Sequence, residues 1–124
     1  MVSYIDWHAY SQLWMTPFGS DCRNLPKDHT TLQRGGELAA SALKSTHGTR
    51  FKVGPVCQII YQASGGSLDW TYDKARVKYS YAVELRDTGR HGFILPPDQI
   101  VPSGEEAVAA VLALNEFIIS QERY

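Results

Sequence analysis

Little sulfur, almost no net charge and no long apolar run characterise these 124 residues, and each shortage narrows what the chain can be. A formal net charge of -1, with no block of like charge, supplies no field to steer the chain onto nucleic acid or anionic lipid. The apolar stretches are too short and too interrupted to span a bilayer. Met1-Val2-Ser3-Tyr4 lacks the basic and apolar regions of a signal peptide, so an export address is missing. That start fits a chain without its N-terminal portion better than a complete secreted precursor. Cys22 and Cys57 are the only thiols, and from the residues alone both a buried free pair and a bridge stand open. Internal repeats, low-complexity tracts and long Pro/Ser linkers are also absent, so residues 1–124 read as a single unit.

What is present is an ordinary globular composition, 44% hydrophobic, enough for one domain with a modest core and against disorder. Val2 to His8 reads as a strand, followed by an aromatic-rich segment from Ala9 to Pro17 and a Gly/Asp/Asn/Pro loop to Lys27. A helix is expected from Asp28, a candidate cap, to Thr46, with Gly48 beyond its end. Gly35-Gly36 should weaken its interior by about 1 kcal/mol per Gly relative to Ala. Phe51 to Tyr61 is interrupted by Gly54-Pro55, and a loop at Ser64–Ser67 leads into a short helix near Asp69–Lys74. A strand follows from Arg76 to Leu85. The last helix spans Ser103 to Gln121, with Ser103 and Glu106 in capping-box spacing. Its apolar stripe is wider than a surface helix needs and calls for a large apolar partner. Strands alternating with helices predict an α/β layer in which the strands carrying Tyr4 and Tyr81 lie side by side and parallel.

Alternating Val77, Tyr79, Tyr81 and Val83 deliver Glu84 at a strand tip just before a Gly-containing turn, a good place for a reacting carboxylate. Its plain alternative is an ion pair with Arg86 or Arg90. His8 also ends a strand, and beside Trp7 and Tyr10 a lone His is ordinarily a packed or surface residue. Tyr61 precedes a Gly-rich loop and reads equally as a buried core residue, as do Tyr10 and Phe93.

Three blocks carry a resemblance. Trp7-His8-Ala9-Tyr10-Ser11-Gln12, then Ile60-Tyr61-Gln62-Ala63-Ser64-Gly65-Gly66-Ser67-Leu68-Asp69-Trp70, then Glu84-Leu85-Arg86-Asp87-Thr88-Gly89-Arg90-His91-Gly92-Phe93 stand in one order and spacing. Together they resemble the C-terminal half of the zinc carboxypeptidases of the pancreatic carboxypeptidase A type, over about Tyr4 to Ile119. The resemblance implies part of a larger mixed-sheet α/β fold, with three to four strands, two long helices and one short helix here. A missing N-terminal half would leave a strand edge and a helix face uncovered, inviting association with that half or self-association.

The same resemblance assigns roles. His8 is implied as the third zinc ligand, and Glu84 as the general base that takes a proton from water and returns it to the leaving amine. That role requires Glu84 to be unpaired with a guanidinium and its pKa raised by an apolar wall, to which Ala82, Val83 and Phe93 are expected to contribute. Tyr61 is implied to close over the substrate, with Phe93 and Tyr10 lining the subsites before the cleaved bond. Leu68 stands where members that remove Lys or Arg carry Asp. With Val56, Ala63 and Ala82 it implies an apolar pocket for large aliphatic or aromatic C-terminal residues of peptides or proteins. Ala9 departs from the Ser common in mammalian members, a small change because the contact there is made largely by backbone.

A Cys22–Cys57 bridge and an oxidising, extracellular compartment for the parent enzyme are implied too. Closing that loop is worth about 3–4 kcal/mol on the chain-entropy model. Absent are the family's H-x-x-E ligand motif, since none of His8, His29, His47 or His91 has Glu three positions on, and its upstream arginines. The chain by itself is therefore expected to hold one of three zinc ligands and to be inactive alone. A noncatalytic fragment and a module that binds peptide C-termini without hydrolysis are the competing expectations.

Overall fold

The structure, a computed structural model, describes residues 1–122. Four strands form one mixed sheet: β1 (Ser3–Ala9), β2 (Leu13–Thr16), β3 (Lys52–Pro55) and β4 (Tyr79–Leu85), in the order β1-β4-β2-β3. β1 runs parallel to β4, β2 antiparallel to β4 and β2 parallel to β3. Two long helices, α1 (His29–His47) and α4 (Ile100–Glu122), carry most of the helical mass. A single turn, α2 (Val56–Ile59), and the short α3 (Ser67–Asp73) lie between β3 and β4. The α/β expectation holds, and the expected parallel pairing is met, with Tyr4 opposite Ser80 and Ile5 opposite Tyr81.

Alternation along β4 sorts its side chains into two layers. Tyr79, Tyr81 and Val83 join Trp14, Leu32, Ala39, Leu43, Ala110 and Leu114 in the main core beneath α1 and α4. Each fully buried Leu among them contributes about 2 kcal/mol of hydrophobic stabilisation. The opposite face carries Ala82, which packs with Leu13, Met15 and Leu68 in a smaller cluster flanked by Val56 and Ile59. Phe51 to Tyr61 resolves into β3 and α2, with Pro55 extended at φ -60° and ψ 136° at the junction. Proline fits there because a helix start leaves its backbone donors unpaired anyway.

Two local expectations are corrected and a third is extended. Asp28 makes no side-chain cap; its carboxylate instead accepts a hydrogen bond from Tyr72 Oη at 2.7 Å, tying the start of α1 to α3. Gly35 and Gly36 are contact points as well as weak helix formers. A Cβ at Gly35 would stand 2.5 Å from Tyr81 Oη, and one at Gly36 2.8 Å from Val53 Cγ1. Ser103 and Glu106 form no capping box, because α4 begins at Ile100 after a 3-10 turn at Pro97–Gln99, leaving both residues inside the helix and buried. Glu106 instead accepts hydrogen bonds from Arg86 Nε at 2.9 Å, Arg86 Nη2 at 2.6 Å and Thr49 Oγ1. A carboxylate removed from water needs such pairing. α4 also leaves Ile100, Val101, Val108, Leu112 and Ile119 exposed, and no described helix is long and apolar enough to cross a membrane.

Candidate active site

Parallel pairing of β1 and β4 brings two of the predicted residues together. His8 and Glu84 are register partners near the C-terminal ends of their strands, and Leu13 of β2 stands opposite Glu84 on its other side. In open α/β sheets ligands bind in the crevice beyond the carboxyl ends of the strands, which is where this pair lies. Asp6 and His8, two residues apart on β1, share a face with Ala82 and Glu84. His8 Nε2 lies 3.1 Å from Asp6 Oδ2, and the same carboxylate oxygen accepts a hydrogen bond from Ser67 Oγ at the start of α3. Hydrogen bonding from Ser67 is the main reason the Asp6 carboxyl titrates below its ordinary range, assisted by His8.

Glu84 has the character of a group held ready. Its Oε2 is buried without a hydrogen-bond partner, and burial pushes its carboxyl above the ordinary value, with His8 opposing the shift and Asp6 adding to it. Arg86 is committed to Glu106, which excludes the ion pair between Arg86 and Glu84 as the plain alternative. Phe93 does not wall the carboxyl: it is 82% exposed and packs edge-on against Tyr10 at 5.0 Å between ring centroids. Val83 does not wall it either, since it faces the main core on the other side of β4. The apolar residues on the face of Glu84 are its strand partner Leu13 and, two positions back, Ala82.

Leu68, Ala82 and Val56 meet in the smaller core cluster. Ala63 is tied to the same corner, its amide donating to the Gly19 carbonyl at 2.9 Å. Tyr61 is 68% exposed, which removes the buried-core alternative for it. Cys22 and Cys57 are disulfide-bonded with Cα atoms 5.2 Å apart, joining the loop before α1 to α2. A cavity of about 780 Å³ lies beside this corner, lined by Phe18, Asp21, Asp69 and Trp70 among others, and includes neither His8 nor Glu84. Its Asp69 is occupied, accepting hydrogen bonds from the Gly19 and Ser20 amides and from Ser20 Oγ.

Sequence reasoning missed Asp6 and Ser67. The signal for Asp6 was available in strand alternation, since a residue two before His8 must share its face; Ser67, 61 positions from Asp6 in the chain, gave no local signal. As a metal centre the described residues are incomplete, because they contain no group of three His, Cys, Asp or Glu side chains able to hold an ion. His8 fits as a single ligand: an exposed imidazole beside an unpartnered buried carboxylate oxygen.

Comparison with known proteins gives the family. The family profile described as zinc carboxypeptidase matches residues 1–110. A metallocarboxypeptidase A-like protein of Trichophyton verrucosum is 50% identical over 111 residues, covering 90% of this chain and 26% of that protein. Carboxypeptidase A2 of Mus musculus is 49% identical over 116 residues, covering 94% of this chain and 27% of that one. The chain thus spans about a quarter of the length of the curated relatives it matches. Among solved structures, bovine thrombin-activatable fibrinolysis inhibitor, in complex with tick carboxypeptidase inhibitor, superposes with a TM-score of 0.92 at 36% identity, over 97% of this chain and 40% of that one. By sequence and by fold, the chain belongs to the zinc carboxypeptidase family.

Proposed function

We propose that this chain supplies the general base, one zinc ligand and the specificity pocket of a metallocarboxypeptidase that removes apolar or aromatic C-terminal residues from peptides and proteins. The observation that carries the reading is the pairing of His8 with Glu84 at two parallel strand ends, with Glu84 Oε2 buried and unpartnered. Zinc, when held by His8 and ligands from outside this chain, would polarise the scissile carbonyl and make an attacking water more acidic. Glu84 accepts the proton of that water and delivers it to the departing amine, a role favoured by a pKa raised towards neutrality.

Leu68 forms the pocket floor with Ala82, Val56 and Ala63 around it. A cationic side chain there would lose its hydration with no anion to compensate, so substrates ending in Lys or Arg are rejected. Tyr61, exposed and ahead of Gly65-Gly66, closes over the C-terminal carboxylate, while Tyr10 and Phe93 form an aromatic ledge for the preceding residues. The exposed apolar face of α4 and the terminal position of β1 in the sheet support assembly with the rest of a catalytic domain. The disulfide supports an oxidising, extracellular setting.

The test is hydrolysis of peptides ending in Phe and in Lys by this chain assembled with an N-terminal portion carrying the other two ligands, in the presence of zinc. Release of Phe but not Lys is expected, with turnover falling at least ~100-fold in Glu84→Gln. Undiminished hydrolysis by that variant would sink the proposal. Saturable peptide binding without turnover would favour a binding module instead.

A further inference from the structure

We propose that the cavity of about 780 Å³ between the loop after β2 and α3 is a ligand site in its own right, one that takes the guanidinium of an arginine side chain in a peptide segment. The inference goes beyond the function proposed above and does not rest on it, because none of Leu68, Val56, Ala63 and Ala82 lines this cavity. Three observations carry it. The volume falls in the range of sites that hold a small molecule or a short peptide segment and is too large for a lone ion. Its walls include Phe18 and the indole of Trp70, a residue 62% exposed. Three carboxylates, Asp21, Asp69 and Asp73, line it against one ammonium, Lys74, which leaves a formal surplus of two negative charges.

The three carboxylates play different parts. Asp69 accepts hydrogen bonds from the Gly19 and Ser20 amides and from Ser20 Oγ, so it adds charge to the floor and little free acceptor capacity. Asp21 accepts from the Arg23 amide at 2.8 Å and, through Oδ2, from Asn24 Nδ2 at 2.6 Å, bonds that hold its carboxyl below the ordinary range. Its Oδ2 keeps a lone pair for a further donor. Asp73 meets Lys74 Nζ at 2.8 Å in an exposed pair, which an incoming cation can replace at small cost. The chain's own Arg23 does not fill the site: its side chain is 91% exposed and its Nε stands 3.9 Å from Asp21. Arginine suits these groups together, since its planar guanidinium stacks on an indole, carries five donors for carboxylate oxygens and is more weakly hydrated than an ammonium. The remaining wall at Gly65 and Gly66 is bare, and a Cβ on either would meet no atom within 4 Å, so a peptide backbone has room beside it.

The test is titration of the chain with N-acetyl-arginine amide, followed by NMR at the Trp70 indole N–H and the Gly65 and Gly66 amides. N-acetyl-lysine amide and N-acetyl-citrulline amide, the neutral isostere, are run beside it. Saturable shifts are expected with the arginine probe, weaker binding with lysine and none with citrulline. Free arginine, whose carboxylate the surplus negative charge repels, should bind more weakly than the amide, which separates a peptide side chain from the amino acid as ligand. Trp70→Ala and Asp21→Asn should each weaken binding about 5-fold. Lys74→Ala should strengthen it about 3-fold by freeing Asp73. That last variant alters only an exposed side chain, and it decides the matter if Trp70→Ala does not fold. Absence of a saturable shift, lysine, citrulline or free arginine binding as tightly as the arginine amide, or Lys74→Ala binding no better would each overturn the proposal.

Discussion

Glu84 is the residue where local stability and proposed chemistry conflict. A carboxyl whose pKa is raised on folding binds more protons folded than unfolded, so its contribution falls as pH rises from the ordinary Glu value of 4.5 through the folded value. Above that window it imposes a constant cost, because the ionised form lies partly out of water with one oxygen unpaired. Glu84→Gln should therefore be more stable than the unsubstituted chain at neutral pH by about 1 kcal/mol. The difference should fade as pH falls through the raised folded value and be absent below 4.5. Urea unfolding at pH 7 and pH 4 checks this, and a variant less stable at pH 7 would contradict it. Asp6 has the opposite sign: its lowered pKa adds stability above the ordinary range and loses it as pH falls. The side-by-side placement of His8 and Glu84 was legible in the sequence because both end strands that were expected to lie parallel. Glu106 was misread, since Ser-x-x-Glu spacing is the same at a helix start and inside one, and its partner Arg86 is 20 positions away.

At the level of elements, two glycines in long helices should respond in opposite ways to the same substitution. Gly35→Ala gains about 1 kcal/mol of helix propensity. The added methyl nonetheless meets Tyr81 Oη, which is buried and donates to the Leu32 carbonyl at 3.1 Å, within the α1 to β4 contact. Overpacking of this kind costs about 1–3 kcal/mol, so a net loss is expected, partly restored by adding Tyr81→Phe. Gly104 lies in α4 with no side chain or loop near its outward position, so Gly104→Ala should stabilise by about 0.5–1 kcal/mol. Thermal denaturation of both variants checks the contrast. Equal signs would mean that the contact between Gly35 and Tyr81 is not as close as described. From the chain alone nothing separates the two glycines, because propensity is local and the obstructing hydroxyl lies on another element.

For the whole molecule, the uncovered surface is as informative as the core. α4 buries Ala110, Leu114 and Ile118 against its neighbours, yet leaves Val108 and Leu112 more than half exposed beside Trp7 of β1. A chain spanning about a quarter of its relatives carries such a face because its cover lies elsewhere, in the reading proposed above. Leu112→Glu should change the stability of the chain by no more than about 0.5 kcal/mol. It should nevertheless abolish assembly with an N-terminal portion. Denaturant unfolding and size-exclusion of the mixed portions measure the two effects, and undisturbed assembly would show that this face is not the contact.

Composition, strand and helix periodicity and three short blocks were sufficient for the α/β class, the parallel neighbours β1 and β4, and the family. These are properties of local order, in which a side chain's face follows from its place in the strand or helix. Tertiary structure alone decided which carboxylate pairs with Arg86, which glycines are filled against and that Ser67 braces Asp6 beside His8. Each of those contacts joins residues far apart in the chain, and no local spacing encodes the distance that folding brings to zero.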